Sequence, residues 1–456
     1  MVKKTKTDLW HARLKNNVSQ LTVDYLDCLK EDKRLAKIDS EVIRTHCRML
    51  WKQGYINKIQ LNKILLALKK FENDFDKSPD KLIQYFKKNN FTDIHPGIEK
   101  YIIEICGIDT GGMTHLGKSR NDQIVTDMRI YLRTELNNIL NLLNQVINEM
   151  KNTSKKNKTI YMIGYTHLQP AQKILFSDYI DSYIDSFERS IQVLKYLYKD
   201  INQNPLGACA LAGTTVNIDK NYTSKLLHFD KNIENTIDAI SNRDFLLRTA
   251  GELSIIMLNL SRISEDFIIW STKEFNYIEL ADYLCDTSTA MPQKKNSSIL
   301  ELLRGKTSTV IGHLTALYII LKGLPTGYNQ DLQQMKVSVW VIIDELKKSL
   351  NIIKEVFKTL RLNENNIKKS LIKSDVVAID LAEYIAKTKK ISFRQAHFLV
   401  GTLVKKLIDE NTNLIETFNQ NPKKFVEIIK KISKDYFNKE LILQPQELNT
   451  ILNFYF

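Results

Sequence analysis

Residues 121–150 read NDQIVTDMRIYLRTELNNILNLLNQVINEM. Within them Val125, Met128, Leu132, Leu136, Ile139, Leu143, Val146 and Met150 follow one another at spacings of three and four. An α-helix turns once every 3.6 residues, so all eight share one face. The stripe covers about 26 residues and predicts a helix roughly 39 Å long, at about 1.5 Å per residue. The polar run Lys151–Lys158 closes it. A stripe this long points to core or subunit contact rather than to a ligand box.

The same spacing recurs on either side. Phe176, Ile180, Ile184, Phe187, Ile191 and Leu194 predict a second long helix over 171–199. Further long helices are expected over 236–270, 297–321 and 329–361. Five such helices imply an extended bundle in an all-α fold. Residues 1–116 read as short helices, with a loop-rich zone at 76–97 marked by Asp76, Ser78, Pro79, Asn89, Asn90, Asp93 and Pro96. Residues 362–456 return to short helices joined by polar stretches at Asn363–Asn366 and Asn419–Lys424. The expected domains are therefore 1–116, 117–361 and 362–456.

Composition supports this class. Fifteen Gly and eight Pro in 456 residues make about 5% of the chain, against roughly 12% in average proteins, so turns are few. The net charge of +14 suits an anionic partner, but Lys is scattered among 52 acidic residues and no nucleic-acid module is visible. No nucleic-acid partner is expected. Cys28, Cys47, Cys106, Cys209 and Cys285 are odd in number and hold no Cys-x-x-Cys pair, which argues against a disulfide framework or a zinc site. Met1 to Trp10 is basic without the apolar core of a signal peptide, and no apolar run could span a membrane. A cytoplasmic protein without membrane association is expected.

The unusual polar residues sit in the breaks between helices. Thr-Ser-Thr-Ala-Met-Pro-Gln-Lys-Lys-Asn at 287–296 places Ser288, Lys294, Lys295 and Asn296 around Pro292, so it should be a loop or helix entrance. A proton acceptor, cations and an amide donor together suit proton removal beside a carboxylate. A Lys-rich surface loop explains this segment alone equally well. Ile108–Gln123 contains Gly111, Gly112 and Gly117, then Ser119, Arg120 and Asn121, donors suited to carboxylates. Ser119 is also placed to cap the following helix. His167 falls in a turn beside Thr166 and Gln169, with no second ligand at metal spacing. His95, like His167, reads equally as a hydrogen-bonded structural residue. The small residues of Asn204–Thr215 suit close backbone packing. In a helix from about Asn329, Gln333 and Lys336 would face one way.

Taken together, these segments resemble a known family. Ser288-x-x-Met291-Pro292-x-Lys294-x-Asn296 is similar to the signature of the fumarase/aspartase superfamily. Ser119-Arg120-Asn121-Asp122-Gln123, Thr166-His167-Leu168-Gln169 and Tyr328-Asn329-x-Asp331-Leu332-Gln333-x-x-Lys336 resemble the argininosuccinate lyases within it. Asp93-Ile94-His95, Pro205-Leu206-Gly207 and Phe393-Arg394-x-Ala396-His397 are similar too. The resemblance covers roughly 8–405, in order and register.

It implies homotetramers of three-domain, all-α subunits. Their long helices form a twenty-helix core, and loops of three subunits build each active site. The implied reaction is cleavage of argininosuccinate to arginine and fumarate, with no metal and no organic cofactor. By resemblance, Ser288 is the general base, and Lys294 and Asn296 stabilise the aci-carboxylate intermediate. His167 assists proton delivery to the leaving nitrogen, and Glu301 orients it. Ser119, Arg120, Asn121, Thr166, Tyr328, Gln333 and Lys336 correspond to substrate-binding positions, and His95 to a further active-site residue.

Some positions depart from the family pattern. Thr287 stands in place of Gly, Ser297 in place of Pro, and Lys118 in place of Arg. Trp10-His11-Ala12-Arg13-Leu14 replaces a Gly-Gly segment, and Cys28 falls on a substrate-binding Ser position. Three other functions fit parts of the pattern: a sister enzyme such as adenylosuccinate lyase, a non-catalytic crystallin-like scaffold, and a helical nucleic-acid binder.

Overall fold

A computed structural model describes Leu14 and residues 18–452. The basic start and Trp10-His11-Ala12-Arg13 lie outside the described residues. The chain divides into two compact units. The first comprises 1–141, 190–256 and 308–347, and the second 142–189, 257–307 and 348–456.

Five long helices carry the chain from one unit's residues to the other's: Arg120–Lys156, Phe176–Ile201, Asp244–Ser271, Ser298–Leu321 and Met335–Thr359. In the first of them, all eight stripe residues from Val125 to Met150 are buried. The fold is all-α. The strands are short and form only two-stranded pairings among the described residues. No described helix is long and apolar enough to cross a membrane.

Several expected boundaries move. Residues 171–175 are not helical. They belong to the strand Gln169–Leu175, which pairs antiparallel with Tyr161–Thr166, and the helix starts only at Phe176. Pro170 lacks the N–H that an internal helical turn needs, while the pairing satisfies the backbone groups around it. The helix expected over 236–270 is two helices, Thr236–Ser241 and Asp244–Ser271. Asn242 separates them, its Oδ1 accepting the Asp244 N–H at 2.7 Å. The helix expected from 329 begins as a 3₁₀ turn over Gln330–Gln334. The zone at 76–97 is mostly helical rather than loop-rich. Pro79 sits in the first turn of Pro79–Lys88, where its missing N–H costs nothing. Asp93 caps Ile94–Cys106 by accepting from the His95 N–H at 3.1 Å.

In the second unit the C-terminal helices, from Ala378–Lys389 to Pro445–Leu452, close around Leu381, Leu399, Leu403, Phe418, Phe425 and Leu448. In the first, Val42, Leu206, Leu227 and Phe229 form a smaller cluster beside the segment that receives the 119–123 loop.

Candidate active site

Ser288 lies in the second unit, at the start of a loop closed by a short hairpin. Asp286–Thr287 pairs antiparallel with Lys295–Asn296, and the helix Ser298–Leu321 follows. Thr287, the departure before Ser288, is a strand residue whose β-branched side chain suits that conformation. Ser297 sits just before the helix, its carbonyl accepting from Leu300 at 2.9 Å and Glu301 at 3.3 Å. Serine is favoured at such a position.

The Ser288 Oγ accepts from the N–H groups of Ala290 at 3.2 Å and Met291 at 3.0 Å. Donors aimed at the oxygen favour its alkoxide over its hydroxyl form. The two lysines differ. Lys295 Nζ donates to Leu280 O and Asp282 Oδ1 at 2.7 Å each and to Glu279 Oε1 at 3.4 Å. Its hydrogen bond to Asp282 and the nearby charges raise its pKa despite partial burial. Lys295 therefore holds the loop down. Lys294 is exposed, and among the described residues its ammonium has no hydrogen bond or ion pair.

His167 occupies the tip of the other hairpin in this unit. Thr166 pairs with Gln169, so His167 and Leu168 alone make the turn, at φ 55° and 58°. Two positive φ angles are what a two-residue hairpin turn of matching twist needs. For residues with side chains this costs roughly 1–2 kcal/mol each, and such strain gathers at functional sites. Behind the tip, the hydroxyls of Tyr165 and Tyr277 share a hydrogen bond at 2.9 Å, and Phe275 packs edge-on against Tyr165. The tip itself is bare. Thr166 and His167 are exposed and form no side-chain hydrogen bond among the described residues, and Leu168 is 80% exposed. Glu301 is likewise exposed, without a side-chain hydrogen bond among the described residues.

The first unit collects the remaining residues. Ser119 caps the long helix as expected, its Oγ accepting from Asn121 N at 3.2 Å. Its own N–H donates to Asp122 Oδ1 at 3.0 Å, while Asp122 Oδ2 accepts from Gly207 N and Cys209 N at 2.9 Å each. Burial still pushes the Asp122 carboxyl up to about 6 against these donors. Gly207 must be glycine: its φ is +104°, and an added Cβ would lie 2.7 Å from Ile218 Cδ1. This fixes Asn121, whose amide donates to Ala210 O at 3.1 Å.

Arg120 donates to Asp93 Oδ2 at 2.6 Å. Lys336 is buried and donates to Asp32, with the Cys28 sulfur 3.6 Å away. Burial pushes the Lys336 ammonium down and Asp32 pushes it up; Asp32 prevails, so Lys336 stays charged. Burial, then Asp32, drive the Cys28 thiol upward, so it is neutral. Gln333 donates to Leu26 O at 3.4 Å, and Tyr328 packs beside Ala208, Ala239 and Ile240. Tyr328 also feels the charges of Arg120 and Lys336.

One unit thus gathers Ser119, Arg120, Asn121, Tyr328, Gln333, Lys336 and His95. The other holds Thr166 and His167 on one hairpin, with Ser288, Lys294, Asn296 and Glu301 on and after another. No hydrogen bond joins His167 to Glu301 or Ser288 among the described residues. The sequence did not single out Asp39 or Asp127, which are buried with His95. An aspartate inside an amphipathic helix gives no sign of facing inward.

Residues 12–312 match the family model described as Lyase, and residues 375–444 the one described as Argininosuccinate lyase C-terminal. The argininosuccinate lyase of Nitrosopumilus maritimus is 41% identical over 396 residues, spanning 87% of this chain and 79% of that protein. The chain belongs to the argininosuccinate lyase family. Its likeness to the Caldanaerobacter subterraneus argininosuccinate lyase, 38% identical over 425 residues, spans 93% of this chain and 94% of the relative. The C-terminal match carries the family likeness past residue 405. Among solved structures, an EDDS lyase in complex with formate superposes with a TM-score of 0.82 at 22% identity, covering 95% of this chain and 83% of that one, which shows a common fold.

Proposed function

We propose that this chain cleaves argininosuccinate to arginine and fumarate, in active sites shared between the subunits of a homotetramer. The observation that supports this reading most is the bareness of the second unit's polar groups. His167 is held on a strained, braced turn, and Lys294 and Glu301 are exposed with no side-chain hydrogen bond among the described residues. Groups so placed fit surfaces completed by another subunit and by substrate.

In this mechanism Ser288 removes the Cβ proton of the succinyl group. Its two backbone donors favour the alkoxide. Lys294 and Asn296 stabilise the doubly charged aci-carboxylate as it forms. His167, oriented by Glu301, helps deliver a proton to the departing guanidino nitrogen. Ser119, Arg120, Asn121, Thr166, Tyr328, Gln333, Lys336 and His95 bind the substrate, whose three carboxylates call for cations and amides. No metal or organic cofactor takes part. The Ser288 loop closes over bound substrate, which excludes water. The three-domain division at 116 and 361, the twenty-helix tetramer core and a cytoplasmic location belong to the same proposal.

The test is absorbance detection of fumarate with argininosuccinate and adenylosuccinate supplied separately. Fumarate from argininosuccinate alone supports the proposal. Release from adenylosuccinate alone would assign a sister activity, and release from neither a non-catalytic scaffold.

The two lysines give a sharper expectation. Lys294→Met should lower kcat by about 10²-fold or more, with KM little changed, because its charge is needed mainly in the transition state. Lys295→Met should act less on kcat, since Lys295 is already committed to Asp282 and Leu280. Steady-state kinetics of both variants decide this, and the reverse order would exchange their roles.

A further inference from the structure

His95 is 4% exposed, and carboxylates face it from several elements. Its Nδ1 lies 3.2 Å from Asp39 Oδ1, on the helix Ala36–Lys52, and 3.7 Å from Asp127 Oδ2, on the helix Arg120–Lys156. Neither ring nitrogen of His95 makes a hydrogen bond among the described residues, so ionic attraction is what these distances carry. One atom each of Asp32, Asp93 and His95 also lie within 4.8 Å of one another. Asp32 holds Lys336, and Asp93 holds Arg120. The other charged or titratable neighbours are Lys118, which acts on both Asp39 and Asp127, and His115, which burial pushes down to about 4 and keeps neutral.

Asp39 and Asp127 are not equivalent. Asp39 accepts from the Gln123 amide. Both Asp127 oxygens and the second Asp39 oxygen are buried without a hydrogen bond among the described residues. Two ionised carboxylates so placed would be very costly. A proton on Asp127, directed toward Asp39, removes one of the two charges and offers the bare Asp39 oxygen a donor. Burial first, then the Asp39 charge, push the Asp127 carboxyl well up. For His95, burial pushes the imidazole down, but Asp39 and the other carboxylates outweigh it, which favours the imidazolium. A divalent cation among the same atoms would have to sit beside that imidazolium and Lys118.

We infer that Asp39 is a positioning residue: paired with a neutral Asp127, it keeps His95 an imidazolium, which offsets Asp32 and Asp93 and leaves Lys336 and Arg120 able to receive substrate carboxylates. This rests on the proposed binding roles of Lys336 and Arg120.

The test measures kcat and KM for argininosuccinate from pH 5.5 to 9 with the full-length enzyme and Asp39→Asn, Asp127→Asn, His95→Asn and Lys336→Met variants. With the wild-type ring raised above its ordinary 6.5, any KM step from His95 should fall at higher pH than in Asp39→Asn. Without Asp39 the ring loses its nearest carboxylate and should titrate at lower pH than in the wild type. The Asp39→Asn KM should therefore be near wild type at the acid end and rise at least about tenfold as the ring deprotonates, the scale of one charge-assisted contact, with kcat little changed. Asp127→Asn keeps a donor toward Asp39 and should add no pH dependence to KM. His95→Asn should raise KM at every pH, which keeps the test open if Asp39→Asn does not fold.

A pH-independent Asp39→Asn KM, a wild-type KM in His95→Asn, or a pH step in Asp127→Asn instead would each overturn the inference. So would a wild-type KM that rises on chelation, which would indicate a metal. An unchanged KM in Lys336→Met would remove the substrate-binding assignment itself, and the inference with it.

Discussion

Ser288→Ala lowers turnover of argininosuccinate by about 10²–10⁴-fold, the usual cost of losing a general base, and leaves KM within a few-fold. The loop geometry explains why the loss should fall on kcat. Ser288 Oγ is held by the Ala290 and Met291 N–H groups at the mouth of a hairpin whose register is set by Asp286↔Asn296 and Thr287↔Lys295. Lys295 anchors the same loop to Asp282 and Leu280. None of these contacts needs the Ser288 hydroxyl except the two donors, which lie at an exposed loop where water replaces it. The alanine variant should therefore keep its helical circular dichroism and its substrate affinity. Near-normal turnover would remove Ser288 from the mechanism and turn attention to Thr289, the next hydroxyl in the loop.

Mixing two inactive variants, His167→Asn and Ser288→Ala, by denaturation and joint refolding restores activity. If each site takes His167 and Ser288 from different subunits, then in random one-to-one hetero-tetramers about a quarter of the sites receive both intact residues. Each variant refolded alone stays inactive. The expectation rests on bare hairpin tips: among the described residues of one chain His167 makes no hydrogen bond to an orienting carboxylate or to Ser288. Absence of recovery, in mixtures whose mass shows hetero-tetramers, would mean that each subunit builds its own sites.

The long helices were legible because burial on one face imposes a 3.6-residue period, and nothing else in the chain imitates it from Val125 to Met150. The Ser288 loop was legible for a simpler reason: Pro292 forbids continuous helix there. The hairpin carrying His167 was only half legible. Its turn was apparent, but Ala171–Leu175 reads equally as a first helical turn, and the pairing of Tyr161 with Leu175 decides otherwise. Loop-like residues at 76–97 misled in the opposite direction, since Pro79 and Asp93 begin helices rather than prevent them. Of the carboxylates around His95, Asp39 and Asp127 were not legible. Asp39 and Asp127 lie 88 positions apart, and only packing of their helices makes them neighbours.

Each compact unit is made of three separated stretches of chain, which bears on synthesis. The first unit is incomplete until residue 347 has left the ribosome, roughly two hundred residues after its opening stretch ends at 141. At about 5–20 residues per second that interval is about ten to forty seconds. Only as the later stretches arrive do the parts of residues 36–141 that pack on them find their partners, as Val42 does with Leu206, Leu227 and Phe229. Production of this enzyme should therefore depend on chaperone supply and growth temperature more than its ordinary composition suggests, and no cut between the units would yield a fragment whose sequence is continuous.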